Sequence, residues 1–108
     1  MATEERSDDN ALLSALRHPL RRRILRLMEA EEPISPRQIS TRLEHPLSNV
    51  SYHVRVLARC SAIALVFTEP VRGSMQHFYR ASLDAPWARQ MLELEDGEGP
   101  PPGERPAA

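Results

Sequence analysis

The apolar residues of this chain change period twice. From Ala11 to Leu57 they recur at helical spacing, from Ala64 to Arg80 they run together or alternate, and from Trp87 onward helical spacing returns. Ala11, Leu12, Leu13, Ala15 and Leu16 predict a first helix, capped by Asp8 or Asp9 and running to about Arg17, with residues 1–7 frayed ahead of it. His18-Pro19 interrupts, because proline suits the first turn of a new helix and resists continuing an old one. Leu20, Ile24, Leu27 and Met28 then predict a second helix from Pro19 to Ala30. Ser35, Pro36 and Gln38 form a capping box with proline at the first helical position, and Ile34 and Ile39 form a hydrophobic staple around it. A third helix from Pro36 to about Leu43 follows, with Ile39 and Leu43 turned inward. After the short break Glu44-His45-Pro46, a fourth helix spans 46–59, with Leu47, Val50, Val54 and Leu57 on one stripe.

Two short helices joined by a turn of three or four residues form a helix-turn-helix, whose second helix is the reader. Ala64–Thr68 and Met75–Arg80 read as strands, and Glu69–Ser74 supplies the Pro, Gly and Ser of a hairpin loop with Arg72 at its tip. A hairpin directly behind a helix-turn-helix is a wing. Trp87, Met91 and Leu94 place a last helix from Asp84 or Ala85 to about Glu95. The predicted fold is mainly α with a β-hairpin, a winged helix-turn-helix in the order four helices, two strands, one helix. It occupies residues 9–95, between a flexible N-terminus (1–8) and a disordered Gly/Pro-rich tail (96–108).

The outward side of the fourth helix carries the candidate chemistry. Ser48, Asn49 and Tyr52 are hydrogen-bonding side chains there, Ser51 is another at the edge of the apolar stripe, and Arg55 and Arg59 are cations further along. Small polar groups can approach base edges, and Arg can fork onto guanine or phosphate. Arg37 and Gln38 lie outward near the start of the third helix, and Arg72 is placed to touch the backbone or minor groove. His53 lies about 80° from the centre of the apolar stripe on an ideal wheel. It is a candidate for base contact, though a half-buried ring bonded to the backbone suits that angle slightly better.

Charge sharpens this picture. The formal net charge of −1 hides a division into three. Residues 1–16 hold one Arg against four acids, a balance of −3; residues 17–80 hold 11 Arg against five acids, +6; residues 81–108 hold two Arg against six acids, −4. A basic centre between acidic ends is the electrostatic footprint of a nucleic-acid binder. All 14 cations are Arg, which fits GC-rich coding and points to a bacterial source. The single cysteine, Cys60, suits a reducing compartment and reads as a small packed residue. The polar N-terminus is not a signal peptide, and the longest apolar run, Ala62–Phe67, is six residues, too short for a membrane span. A soluble cytoplasmic protein is expected, with no membrane partner and no cofactor. His18, His45, His53 and His77 form no i, i+4 pair, so no metal site is expected. Ser51 and His53 do not face one another on a helix, and no hydrolase, phosphate-loop or metalloprotease motif is present, so no enzyme activity is expected.

Four stretches give the chain a resemblance to the ArsR-like winged-helix transcriptional regulators of bacteria: His18–Leu25, Ile34–Ser40, Val50–Leu57 with its Ser-x-His element, and Val71–Arg80. The resemblance covers roughly residues 10–95. Two departures stand out. Where the family usually has Gly just after the reading helix, this chain has Ser61, so the helix ends differently or carries strain. The thiolate pair that the family's metal sensors place in the reading helix is missing. The expected function is a sequence-specific regulator of transcription, acting as a repressor. It binds duplex DNA as a homodimer built from the first and last helices, through Leu12, Leu13, Leu16, Trp87, Met91 and Leu94. The effector is unknown. The alternative is a winged-helix protein-interaction module without DNA binding.

Overall fold

The computed structural model describes residues 2–93, with side chains from Asp9 onward. The elements run α1 (Ala2–Leu16), α2 (Pro19–Ala30), α3 (Pro36–Leu43), α4 (Leu47–Arg59), β1 (Ile63–Val71), β2 (Ser74–Ala81) and α5 (Pro86–Met91). The expected start of the first helix is corrected. The backbone is helical from Ala2, so Asp8 and Asp9 lie inside the helix rather than at its cap. Residues 2–16 contain no Gly or Pro and include Ala, Glu and Leu, which favour helix.

All five helices pack around one core. Leu16, Ile24, Leu25, Met28, Ile39, Val50 and Leu57 are fully buried, joined by Ala88 and Leu92 from the C-terminal end. Leu25 joins the buried set while Leu27 is only half-buried, because α2 is covered by α1, α4 and β2 and so has a broad apolar face. Arg22 is also buried, at 8 % exposure. Its Nη1 donates to the Leu16 carbonyl at 2.6 Å, and Arg26 Nη1 donates to the Leu92 carbonyl at 2.7 Å. Each guanidinium thus meets an orphan carbonyl at the C-terminal end of a neighbouring helix, where a cation is favoured. His18 caps α2, its Nδ1 accepting from the Leu20 amide at 3.2 Å.

The capping box on α3 forms in both directions. Ser35 Oγ accepts from the Gln38 amide at 3.3 Å, and Gln38 Oε1 accepts from the Ser35 amide at 3.0 Å. Just before it, Ile34 exchanges two backbone hydrogen bonds with Tyr79 of β2, at 2.9 and 3.0 Å. That bridge ties the start of α3 to the hairpin. Glu44, His45 and Pro46 make the turn between α3 and α4, with Glu44 in the left-handed region at φ 56°.

The hairpin is longer than expected, and its loop shrinks from six residues to two. Arg72 and Gly73 both have positive φ, 51° and 87°, the twist that joins two right-twisted strands most directly. Pro70 therefore lies within β1, opposite Met75. A two-stranded ribbon tolerates it, since one side of β1 has no strand to receive an N–H. A bulge between Leu65 and Phe67 shifts the register. Helix α5 is shorter than expected. Leu92 caps it, and Leu94, Glu95 and the tail 96–108 lie outside the described residues.

Ser61 ends α4 with the geometry that normally selects glycine. Its φ is 64°, its amide bonds the Ala58 carbonyl at 3.1 Å, and the Ala62 amide bonds the Leu57 carbonyl at 2.9 Å. That is a full Schellman ending carried by a residue with a Cβ. Ser61→Gly is expected to raise stability by about 0.5–1 kcal/mol in urea unfolding, relief of the left-handed penalty outweighing glycine's extra chain entropy. A loss of stability would show that the Ser61 side chain holds the ending together.

Candidate nucleic-acid interface

Helix α4 presents a polar side because its stripe of Val50, Val54 and Leu57 is buried. Ser48, Asn49, Tyr52, Arg55 and Arg59 are all exposed, as expected, and Tyr52 stands out at 52 %. Its N-cap is Pro46, with no side-chain hydrogen bond, so the first amides of α4 open outward beside Ser48 and Asn49. Arg59 lies in the last turn, where a cation also suits the helix dipole.

Between α4, the start of α3 and β2 runs a cleft of about 370 Å³. Ser51 and Arg55 line it from α4, Arg37 from α3, and Ser74, Gln76 and His77 from the hairpin, over an apolar floor that includes Leu47, Val54 and Tyr79. A second cleft, of about 360 Å³, is lined by Arg37, Val71, Arg72, Ser74 and Gln76. Arg37 belongs to both. Arg55, Arg37 and Arg72 therefore form a line of cations from the outward side of α4, past the N-terminal end of α3, to the hairpin tip. Among the described residues no acid pairs with any of them.

Other arginines of the basic centre are engaged within the fold. Arg42 forks onto Glu31, with Nη2 to Oε1 at 2.7 Å, and the bond holds the Glu31 carboxyl below its usual range. Beyond that centre, Arg89 of α5 pairs with Glu29 of α2 at 3.2 Å. Arg21, Arg22 and Arg26 donate to partners inside the chain.

Two candidates change role. His53 is corrected. It is neither outward nor bonded to backbone, but buried, with Nδ1 accepting from Arg21 Nε at 3.0 Å. Burial, then His18, Arg21 and His45, push its pKa down to about 4, so the ring is neutral near pH 7. Gln38 remains exposed, but its carbonyl oxygen is held by the cap, leaving only the amide NH₂ to face out. Ser51 lines the cleft while His53 turns inward to α2, so the two form no nucleophile–base pair. Cys60 is half-buried, its Sγ 3.5 Å from the Leu57 carbonyl, and burial raises its thiol pKa. Among the described residues no three His, Cys, Asp or Glu side chains come together as metal ligands, and no helix is long and apolar enough to cross a membrane.

Ser74, Gln76 and His77 are the polar lining residues that the sequence alone did not mark. The signal was present for two of them: Ser74 and Gln76 are polar positions two apart on β2, hence on one face of the hairpin.

Comparison with known proteins agrees with this geometry. Residues 16–66 match a family described as a helix-turn-helix domain. No curated protein matches the chain in sequence. Among solved structures, the chain is similar to reduced HlyU from Vibrio cholerae N16961, with a TM-score of 0.62 and 23 % identity over 85 % of this chain and 88 % of that one. With α3 and α4 joined by a three-residue turn and a β-hairpin directly behind them, the chain has the winged helix-turn-helix fold.

Proposed function

We propose that this protein is a DNA-binding regulator of transcription. Helix α4 lies in the major groove, Ser48, Asn49, Tyr52 and Arg55 face base edges, and the hairpin tip carries Arg72 to the backbone or minor groove. The line Arg55–Arg37–Arg72, with which no acid pairs among the described residues, is the observation that carries this reading. It crosses both elements that would meet a duplex, and a polyanion is the partner that an open row of guanidiniums fits. The likeness of residues 16–66 to helix-turn-helix domains supports the same reading.

The working unit is a homodimer through α1 and α5. Leu16 leaves the expected interface, since it is fully buried within the monomer, and Leu94 lies outside the described residues. Leu12, Leu13, Trp87 and Met91 remain half-buried and available to a second copy. A two-fold dimer prefers an inverted repeat with half-sites about one helical turn apart. Repression is the simplest outcome, because a bound dimer covers the DNA beneath it.

One observation favours the protein-interaction alternative. Leu65, Val66, Phe67 and Met75 are exposed on the hairpin, where a partner protein could cover them. Sedimentation of the chain with a fluorescent duplex, across a range of salt, decides between the two. Two chains per duplex are expected. If Arg37, Arg59 and Arg72 each hold a phosphate, log K falls with log salt with a slope of about −2.7 per chain. A flat salt response favours the protein-interaction reading, and one chain per duplex removes the dimer.

A further inference from the structure

The Arg21–His53 hydrogen bond lies outside the interface described above, yet it joins α2 to the helix that carries the interface. We propose that Arg21 and His53 are a positioning pair: their hydrogen bond sets the roll of α4 on α2, and so governs discrimination between DNA sequences rather than adhesion to DNA. The proposal rests on the DNA-binding reading.

The rest of α4 is seated by apolar packing through Val50, Val54 and Leu57. Apolar burial is non-directional, so the stripe by itself does not name one roll angle. A hydrogen bond is directional, and this one is built from two groups with fixed shapes, a guanidinium Nε and a ring nitrogen at 3.0 Å. Roll matters to a reading helix. Outward side chains end about 5–6 Å from the axis, so a roll of about 10° carries a tip about 1 Å. Productive contact geometry tolerates about half that. Tyr52 is coupled to the same ring, which it meets edge-on at 5.3 Å between centroids, while Tyr52 itself remains outward.

The surroundings keep the pair formed. His18, in the turn before α2, packs its ring 4.5 Å from that of His53, and the Arg21 guanidinium places a positive charge beside it. Burial, with the Arg21 guanidinium beside it, leaves the His53 lone pair free to accept at neutral pH, so the hydrogen bond is kept there. It also fixes the tautomer: with Nδ1 accepting, the proton resides on Nε2.

The test compares wild type with Arg21→Lys, His53→Leu, the double variant and His53→Gln. Arg21→Lys keeps the charge, so a lost phosphate contact cannot explain its effect. His53→Leu keeps the bulk without the acceptor, and His53→Gln restores one. Each is titrated with a duplex selected from a random pool and with random duplex, at two salt concentrations and well below the lowest melting temperature in the set. Arg21→Lys and His53→Leu are each expected to lower the ratio of selected to random affinity by about tenfold, the worth of one good base contact. The double variant should be no worse than either single one. Random-duplex affinity and salt slope should stay unchanged, and His53→Gln should recover part of the ratio. An unchanged ratio with a lowered melting temperature overturns the proposal, leaving the pair a structural bond. Additive losses, or no recovery with Gln, also overturn it. If wild type binds no duplex at all, the DNA-binding reading fails and takes the proposal with it, whereas failure of the variants alone leaves that reading standing.

Discussion

Leu57→Ala is expected to lower the unfolding free energy by about 3–4 kcal/mol. Leu57 is fully buried at the C-terminal end of the α4 stripe, where α4 also packs on α1, α2, α3 and β1. Removing its branched end takes apolar surface out of the core and leaves a void that the surrounding helices fill only in part. A domain of this size has a total stability of about 5–15 kcal/mol, so the loss is a third or more of what holds a marginal one together. At about 4–8 °C per kcal/mol the melting temperature should fall by about 12 °C or more. Leu57→Met, which conserves volume, should cost less than about 1.5 kcal/mol. Urea unfolding followed by circular dichroism measures both. A cost below about 1 kcal/mol for the alanine variant would mean that α4 is not seated through this residue. The backbone ending at Ser61 should survive, since the Leu57 carbonyl that accepts from Ala62 does not depend on the side chain.

The second large effect is expected on DNA affinity, and it separates reading from holding. Arg55 lines the cleft one turn after Ser51, and Arg72 stands at the hairpin tip. If Arg55 forks onto guanine, Arg55→Ala should cost about 1–3 kcal/mol of binding and flatten the preference at one base pair in each half-site. If Arg72 meets only the backbone, Arg72→Ala should weaken all sequences alike and reduce the salt slope by about 0.9. Both side chains are exposed, so neither change should move stability by more than about 0.5 kcal/mol. Titration of each variant against a selected site and its single-base variants, at two salt concentrations, tells the outcomes apart. A uniform loss in Arg55→Ala makes Arg55 a phosphate contact and moves the readout to Ser48, Asn49 and Tyr52. No loss in either variant means that α4 does not enter the groove, and the apolar hairpin surface then becomes the better guide to a partner.

Features whose cause lies within a few residues were legible in the chain alone. Apolar spacing of three and four marks α2 and α4. The Ser35–Gln38 cap starts α3 where expected, and the two helices meet across Glu44–Pro46. The outward side of α4 followed from the same periodicity, since burying Val50, Val54 and Leu57 leaves Ser48, Tyr52 and Arg55 no other direction.

Which polar groups remained free to act depended on long-range packing. Eleven arginines between residues 17 and 80 look alike in sequence. Arg26 meets a carbonyl 66 residues away and Arg21 a ring 32 residues away, partners that no local pattern brings together. His53 turned inward for the same reason: its wheel angle allowed either side, and Arg21 supplied the acceptor's partner. The hairpin tightened to Arg72-Gly73 because cross-strand pairing drew Pro70 and Val71 into β1, against the loop composition of that stretch. Leu16 went to the monomer core because α2 and α5 close over it, a surface that a helix considered alone would offer to a second subunit. Backbone preference acts over one turn, whereas the pairing of charges and the covering of apolar faces depend on contacts that form only when distant segments pack.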